Sequence, residues 1–352
     1  MNINFEKVVK SAEFLNPRKG FTRDRQTIEF RRDPLTGRWC RINVERARRG
    51  TSLGAEGVEE DFKVLIEASR DTCYFCERNL EKSTPKFTPD ISREGRIRRR
   101  SVVVFPNLFP FGEHHAICVI SKAHYLELCD ISRDMWLNSL LSCIDFLKRI
   151  HEKDRRIRYP IVGFNYMPPA GASIFHPHLQ ILMDWKASSA LSELMGKSLR
   201  YHEENKSCFW SDLLESEEAI GERHIGNTGV FSWISSFAPS GNNEVVGVMR
   251  QPASCITEMD RRSVGDLADG LSKVLKGLWL DRGVRSINLS VYSGPLGDGV
   301  DECFRLHVKI FSRPTFKSHC VNDRGFMETL HFETVVQTSP EDTARDLRKY
   351  FQ

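Results

Sequence analysis

The segment Gly171-Ala172-Ser173-Ile174-Phe175-His176-Pro177-His178-Leu179-Gln180-Ile181-Leu182 places two imidazoles and an amide at alternate positions of an otherwise apolar run. On a β-strand alternate side chains share a face, so His176, His178 and Gln180 are predicted to project together. Three polar groups on one face of an apolar strand are poor core filling. Pro177 cannot donate a ladder hydrogen bond, which predicts an edge or bulged position where the backbone opens to a ligand. Neutral imidazole is both a nucleophile and a leaving group at phosphorus, and an amide two residues on can donate to phosphoryl oxygens. A lone histidine here would more often be structural, but the H-P-H-x-Q set is much less readily so.

A second chemical signal is Cys73-Tyr74-Phe75-Cys76, where C-x-x-C reads as a metal clasp, a redox pair or coincidence. No thioredoxin-like βαβ pattern surrounds it, which argues against redox. The chain has ten cysteines, but Cys118, Cys129, Cys143, Cys255 and Cys303 stand singly among apolar residues, as small hydrophobes do. A zinc ion would need two further ligands, with His114, His115, His124 and His176 as candidates.

The elements that must position these groups are written twice along the chain. SVVVFPNLFPFGEHHAICVISKAH, a helical stretch over 132–151, YPIVGFNYM and IFHPHLQILM form one copy. GVFSWISSFAPSGNNEVVGVMRQPAS, a helical stretch over 260–279, RSINLSVYS and CFRLHVKIFS form the other. Trp136, Leu140, Ile144 and Leu147 recur at helical spacing, as do Leu267, Leu271, Val274 and Leu278. Each copy thus reads strand, turn, strand, helix, strand, loop, strand. That order predicts an α+β fold of two tandem halves, each a largely antiparallel sheet with a packed helix. Residues 1–100 form a preface, and 313–352 form an extension ending in a charged helix from Pro340.

At 352 residues, with 40% hydrophobic and 28% charged residues, the chain fits a globular protein of two ordinary domains. No apolar run suggests a membrane span, and the N-terminus lacks a signal-peptide core, so a cytoplasmic protein is expected. The net charge of +4 and the clusters at Arg96–Arg100 and Arg155–Arg158 lack an interleaved aromatic platform, which argues for solvated loops and against a nucleic-acid partner.

H-P-H-x-Q after an Asn and a Gly-x-Ser, with C-x-x-C upstream, resembles the galactose-1-phosphate uridylyltransferase family of the histidine-triad superfamily. Arg32-Asp33-Pro34-Leu35-Thr36-Gly37-Arg38-Trp39 is similar to the family's N-P-L-T-G-x-W signature, and Arg46-Ala47-Arg48-Arg49 to its R-A-K-R segment. The resemblance implies two histidine-triad-like halves, 1–200 catalytic with a zinc clasp and 201–352 degenerate with a hexose-phosphate-binding extension. It implies one structural zinc per chain on Cys73, Cys76, His124 and His176, with His178 as nucleophile and Gln180 on the phosphoryl oxygens. Asn107, Asn165, Gly171 and Ser173 would line the nucleotide site, while Arg46 and Arg49 would reach phosphates across a homodimer interface. His114 and His115 fall to supporting duty. The implied activity is transfer of a nucleoside monophosphate from a nucleotide sugar, UDP-glucose by default, to a hexose 1-phosphate.

The second half holds Arg305-Leu306-His307-Val308-Lys309 in the place of His176 to Gln180, so no second metal is expected. His307 is expected as a substrate contact or a buried relic, and Lys309 as a phosphate contact. Gln337 matches a hexose-phosphate residue, but His331 replaces the family's Glu. Ser339-Pro340-Glu341-Asp342 before a helix is also similar to plant-type ADP-glucose phosphorylases. That leaves an ADP-sugar or dinucleotide phosphorylase or hydrolase, with phosphate or water as acceptor, as the alternative. A non-catalytic zinc module would have no need of His178 and Gln180.

Overall fold

A computed structural model describes residues 3–48, 58–315 and 322–352. Its elements run in the order β1 (Lys7–Asn16), β2 (Thr22–Arg32), β3 (Trp39–Ile42), α1 (Val58–Arg70), α2 (Glu77–Ser83) and β4 (Ile97–Arg99). The first repeat follows as β5 (Val102–Pro106), β6 (His114–Val119), α3 (Arg133–Lys153), β7 (Tyr159–Tyr166) and β8 (His178–Asp184). Two helices, α4 (Ser189–Asn205) and α5 (Phe209–Ile220), lead to β9 (His224–Thr228). The second repeat is β10 (Phe231–Ser235), β11 (Asn242–Met249), α6 (Arg261–Arg282), β12 (Ile287–Tyr292) and β13 (His307–Ser312). The chain closes with α7 (Phe326–Leu330), β14 (Thr334–Val336) and α8 (Pro340–Arg348).

Both repeats join in one ten-stranded sheet of order β4-β5-β6-β8-β7-β12-β13-β11-β10-β9. Every pairing within it is antiparallel. The seam is β7 against β12, with Gly163 opposite Ser290. Across it the register aligns Gln180, Gly163, Ser290 and Lys309 in one row, spanning about 14 Å at the usual strand spacing.

The long helices α3 and α6 cover one face of this sheet. Each starts on a side-chain cap, Ser132 accepting from the Met135 N–H and Asp260 from the Ser263 N–H. Their apolar stripes, with Leu179, Ile181, Val308 and Ile310 from the strands, form one continuous core. The other face is covered at its two ends. The cysteine segment and α2 pack on Val103, Phe105, Ile117 and Val119, while α4 and α5 pack on Ile234, Val246 and Val248. Between these covers, the row of Gln180, Gly163, Ser290 and Lys309 stays half-buried.

A smaller sheet of order β1-β2-β3-β14 builds on the preface, with β14 from the extension pairing parallel to β3. Buried Arg31 and Arg223 both reach Glu341 on α8, at 2.7 and 3.2 Å, and Arg223 also meets the buried Glu217 at 3.0 Å. These arginines tie the small sheet, α5 and α8 together. Among the described residues no helix is long and apolar enough to cross a membrane.

Gly270 on α6 lies against the Trp233 indole, where an added Cβ would fall on the ring, whereas Gly196 on α4 faces open space. Gly270→Ala is expected to cost about 1–3 kcal/mol by overpacking. Gly196→Ala is expected to gain about 0.5–1 kcal/mol from helix propensity. Urea unfolding of the two variants checks both signs.

Candidate active site

Strand β8 begins at His178, and the Phe75 ring lies against both His176, at 6.3 Å, and His178, at 5.0 Å, so the two imidazoles face the same cover. Pro177 supplies no N–H, and its carbonyl accepts from the Ile120 N–H at 3.3 Å. Strand β8 is not the edge that this proline predicted; it lies between β6 and β7. His176 lies in a buried cluster with Cys73, Cys76 and His124, whose donor atoms all lie within 4.8 Å of one another. His176 Nδ1 is 3.8 Å from Cys73 Sγ and 3.7 Å from Cys76 Sγ, and His124 Nδ1 is 3.3 Å from Cys76 Sγ.

These spacings suit a tetrahedral metal, whose thiolate and imidazole ligands would stand roughly 3.6 Å apart. The rings are also oriented for it. His176 Nε2 is 2.8 Å from the Ser121 carbonyl, and His124 Nε2 is 3.0 Å from that of Ile66. Carbonyls can only accept, so both Nε2 atoms carry the proton and both Nδ1 lone pairs face the thiols. The cluster can hold a metal ion. Of the other candidate ligands, His114 sits beside Glu113, and His115 joins the face that carries His178.

His178 is 7% exposed and lies edge-on to Phe75 at 5.0 Å. Its Nδ1 is 2.8 Å from the His176 carbonyl, so the proton belongs on Nδ1 and the Nε2 lone pair is free. Burial lowers its pKa despite that hydrogen bond, which keeps the ring neutral at pH 7. Gln180 Oε1 is held at 3.0 Å by His115 Nε2, while His115 Nδ1 accepts from the Phe111 N–H at 3.4 Å. The backbone donor thereby fixes the His115 tautomer, His115 donates to Gln180, and the Gln180 amide N–H₂ is turned outward. Asn107 supports His115 from the end of β5, its Nδ2 donating to the His115 Nδ1 lone pair at 3.3 Å.

Continuing the β7–β8 register one step beyond Phe164 and Leu179 sets Asn165 opposite His178 on the same face. Gly171 follows a tight turn at φ +91°, and it and Ser173 are exposed beside this strand start. One face therefore gathers an unprotonated imidazole nitrogen and two amides. That arrangement can attack phosphorus and stabilise the charge on its oxygens.

Other expected residues lie elsewhere in the chain. Arg46 is exposed on the turn Val44–Arg48, and the Gln337 N–H bonds to Asn242 at the start of β11, so both belong to the small sheet and the second half. Arg49 lies outside the described residues. His307 is fully buried between Trp210 and Tyr292, with ring centroids at 4.0 and 4.9 Å, and burial lowers its pKa to about 3. Lys309 stays protonated, its pKa raised by Glu244 against the pull of burial. It lines a cleft of about 200 Å³ with Arg38, Glu193, Trp210 and Tyr292, and neither His178 nor Gln180 reaches this cleft.

The second half copies the first half's geometry. His307 Nδ1 bonds to the Arg305 carbonyl at 2.9 Å, as His178 does to that of His176. Cys208-Phe209-Trp210-Ser211 stands to His307 as the cysteine segment stands to His178. Where the first half gathers four metal donors, the buried Arg305 guanidinium bonds to Ser211 Oγ at 3.4 Å and to the carbonyls of Phe304 and Asp301.

Asn288 and Arg313 were not singled out in the sequence, yet Asn288 Nδ2 donates to Asn165 Oδ1 at 2.7 Å and Arg313 to Asn288 at 3.0 Å. The available signal was that both copies place an asparagine in the strand after the helix.

Paired halves in one sheet, with a histidine beside a metal-competent cluster, define the chain as having the galactose-1-phosphate uridylyltransferase-like fold. Its likeness extends to plant ADP-glucose phosphorylase. No protein-family model matches the chain. The chain is 26% identical over 347 residues to an uncharacterized protein of Archaeoglobus fulgidus, covering 99% of this chain and 98% of the relative. It is 22% identical over 300 residues to ADP-glucose phosphorylase of Arabidopsis thaliana, covering 78% and 80%. The structure of ADP-glucose phosphorylase from that plant with bound ADP-glucose superposes with TM-score 0.71 at 20% identity, over 92% of this chain and 98% of that one. A uridylyltransferase structure superposes with TM-score 0.65 at 20% identity and the same coverage.

The purified protein is expected to contain about one divalent metal per chain, as a four-donor cluster would hold. The Cys73→Ser/Cys76→Ser variant should lose it, with a lower melting temperature. Elemental analysis and a thermal scan measure the two effects.

Proposed function

We propose that the protein is a nucleotidyltransferase that moves a nucleoside monophosphate from a nucleotide sugar to a phosphate-bearing acceptor through a covalent bond to His178. The observation behind this is the geometry of His178, whose Nδ1 is engaged by a carbonyl and whose Nε2 is free beside two outward-turned amides.

Nε2 attacks the α-phosphorus of the nucleotide sugar. The P–N bond forms as the P–O bond to the sugar phosphate breaks, and the sugar 1-phosphate leaves with that electron pair. The ring now carries a positive charge, which the carbonyl of His176 stabilises through the Nδ1 proton. An oxygen of the acceptor phosphate then attacks phosphorus and displaces neutral imidazole. Gln180 and Asn165 donate to the phosphoryl oxygens in both steps, each such donor being worth on the order of 10²–10³ in rate. Asn107, Gly171 and Ser173 complete the nucleotide site.

Zinc suits two thiolates and two imidazoles, and with four protein ligands it would have no open position and would act structurally. Arg46 and Arg49 would reach phosphates in the site of a partner chain in a homodimer, since Arg46 sits on the small sheet beyond β3, and Gln337 would serve the hexose phosphate beside β11. His307 is enclosed by aromatic rings and is assigned no contact with substrate, whereas Lys309 faces a cleft open to a phosphate.

Between donors, the comparisons favour an ADP-sugar with inorganic phosphate as acceptor, because a curated relative and a superposing structure are both ADP-glucose phosphorylases. The second reading, UDP-glucose with a hexose 1-phosphate, follows from the motif resemblance. Incubation with ADP-glucose and UDP-glucose separately, followed by intact mass, is expected to show one adenylyl or uridylyl group added. Inorganic phosphate or a sugar 1-phosphate should discharge it, and His178→Ala should never acquire it. An unmodified wild-type mass with both donors would sink the proposal.

A further inference from the structure

The face that carries His178 is ordered by hydrogen bonds whose direction is set far from it. Arg313 follows β13 and is half-buried. Its Nε donates to Asp323 at 3.0 Å, its Nη1 to Asn288 Oδ1 at 3.0 Å, and its Nη2 lies 3.4 Å from Asn322 Oδ1. A guanidinium has donors only, so the oxygen of Asn288 must face it. The Asn288 nitrogen is then forced to the other side, where it donates to Asn165 Oδ1 at 2.7 Å and to the Ala170 carbonyl at 2.8 Å. With its oxygen so occupied, Asn165 can offer only Nδ2 to the face it shares with His178, and among the described residues that nitrogen has no hydrogen-bond partner. A Cβ built on Gly171 would lie 3.8 Å from it, so the nitrogen borders the exposed 171–173 turn.

We infer that Asn288 and Arg313 are positioning residues that fix the amide of Asn165 with its N–H₂ toward the transferring phosphoryl group. They act from the second repeat and from the start of the C-terminal extension on a residue of the first. The inference rests on the proposed nucleotidyl transfer and adds to it a polarity. An Asn165 amide turned the other way would present a carbonyl oxygen to phosphoryl oxygens and repel them. The bond from Asn288 to Ala170 makes the same residue an anchor for the turn Pro168–Ala170 that enters the Gly171 loop.

The polarity separates this role from a purely structural one. Asn288→Asp keeps the shape and strengthens the link to Arg313 but sets a carboxylate oxygen against the Ala170 carbonyl as well, so the part of its effect that disappears without Asn165 is what separates the two roles. If Asn288 sets a direction, its replacement by an acceptor-only carboxylate turns the Asn165 amide around, and the variant should be worse than Asn288→Ala.

The test is the rate of nucleotidyl-histidine formation, followed by rapid quench and intact mass with ADP-glucose and UDP-glucose. Asn288→Asp is expected to be about 10²–10³-fold slower than wild type, the cost of losing one oxyanion-hole donor. Asn288→Ala should lose roughly tenfold. In an Asn165→Ala background Asn288→Asp should add no more than about twofold, the ordinary limit of additivity error. Arg313→Gln, which can accept as well as donate, should also slow the reaction and provides a second route should Asn288→Asp fold poorly in a thermal scan. A rate for Asn288→Asp equal to or above that of Asn288→Ala, or an effect that persists in full without Asn165, overturns the inference while leaving nucleotidyl transfer standing. A wild-type protein that forms no adduct with either sugar removes both.

Discussion

One residue, His176, links the two chemistries of the molecule. Its ring is locked between the Ser121 carbonyl and the two thiols, and its own carbonyl receives the Nδ1 proton of His178. Ring and carbonyl belong to one short, proline-stiffened stretch, so anything that fixes the ring also fixes the tautomer and angle of the histidine two residues on. A metal-competent cluster can in this way serve a reaction it never touches. It holds the end of the strand still, and the strand aims the free nitrogen. The requirement that a buried metal-binding imidazole have its other nitrogen engaged is general. Here that same tight packing also leaves a carbonyl poised over the next histidine.

Repeating the motif in one sheet gives a second copy of this arrangement with different content. Around His307 the tautomer-setting carbonyl survives, but the ring lies between Trp210 and Tyr292 with nothing to attack, and its Nε2 has no partner among the described residues. Arg305 supplies a fixed positive charge and several donors where the first half gathers thiols and imidazoles. Such a guanidinium can bind carbonyls and a hydroxyl, but it has no lone pair to offer a metal. The second half therefore keeps the clamped histidine but encloses it, and its own cleft opens around Lys309 instead.

Much of this was legible in the sequence because it depended on local patterns. The duplicated strand-helix-strand order, the helices beginning at Ser132 and Asp260 and the helix from Pro340 all follow from periodicity and capping, which need no tertiary information. The small sheet was not legible. Its strand β14 pairs with β3 across about 300 residues of sequence, and no pattern in either segment names the other. The proline misplaced the strand itself, since β8 runs between β6 and β7 and is no edge. The pairing of Asn288 with Asn165 was hidden for a different reason. The register across the β7–β12 seam depends on how the two repeats dock, and an asparagine in an alternating strand looks like any solvent-facing polar residue until that seam is known.

The seam also explains why the site is built largely from amides. A group in the middle of a ten-stranded sheet is hemmed in by neighbouring strands, and burying a charge there would require a paired counter-charge at several kcal/mol of desolvation. Amides avoid that cost, yet they are ambiguous, since either end can face a ligand. The two chains of hydrogen bonds remove the ambiguity from opposite sides. On one side the Phe111 N–H orients His115 and so Gln180; on the other the Arg313 guanidinium orients Asn288 and so Asn165. Each chain begins at a group that can only donate, and each ends with an N–H₂ turned to the face of His178. A site arranged this way favours a phosphoryl group, which offers only acceptors, over ligands that would bring donors of their own. Under the proposed nucleotidyl transfer, that selectivity would be for phosphoryl oxygens as a class and would not depend on the base or the sugar attached.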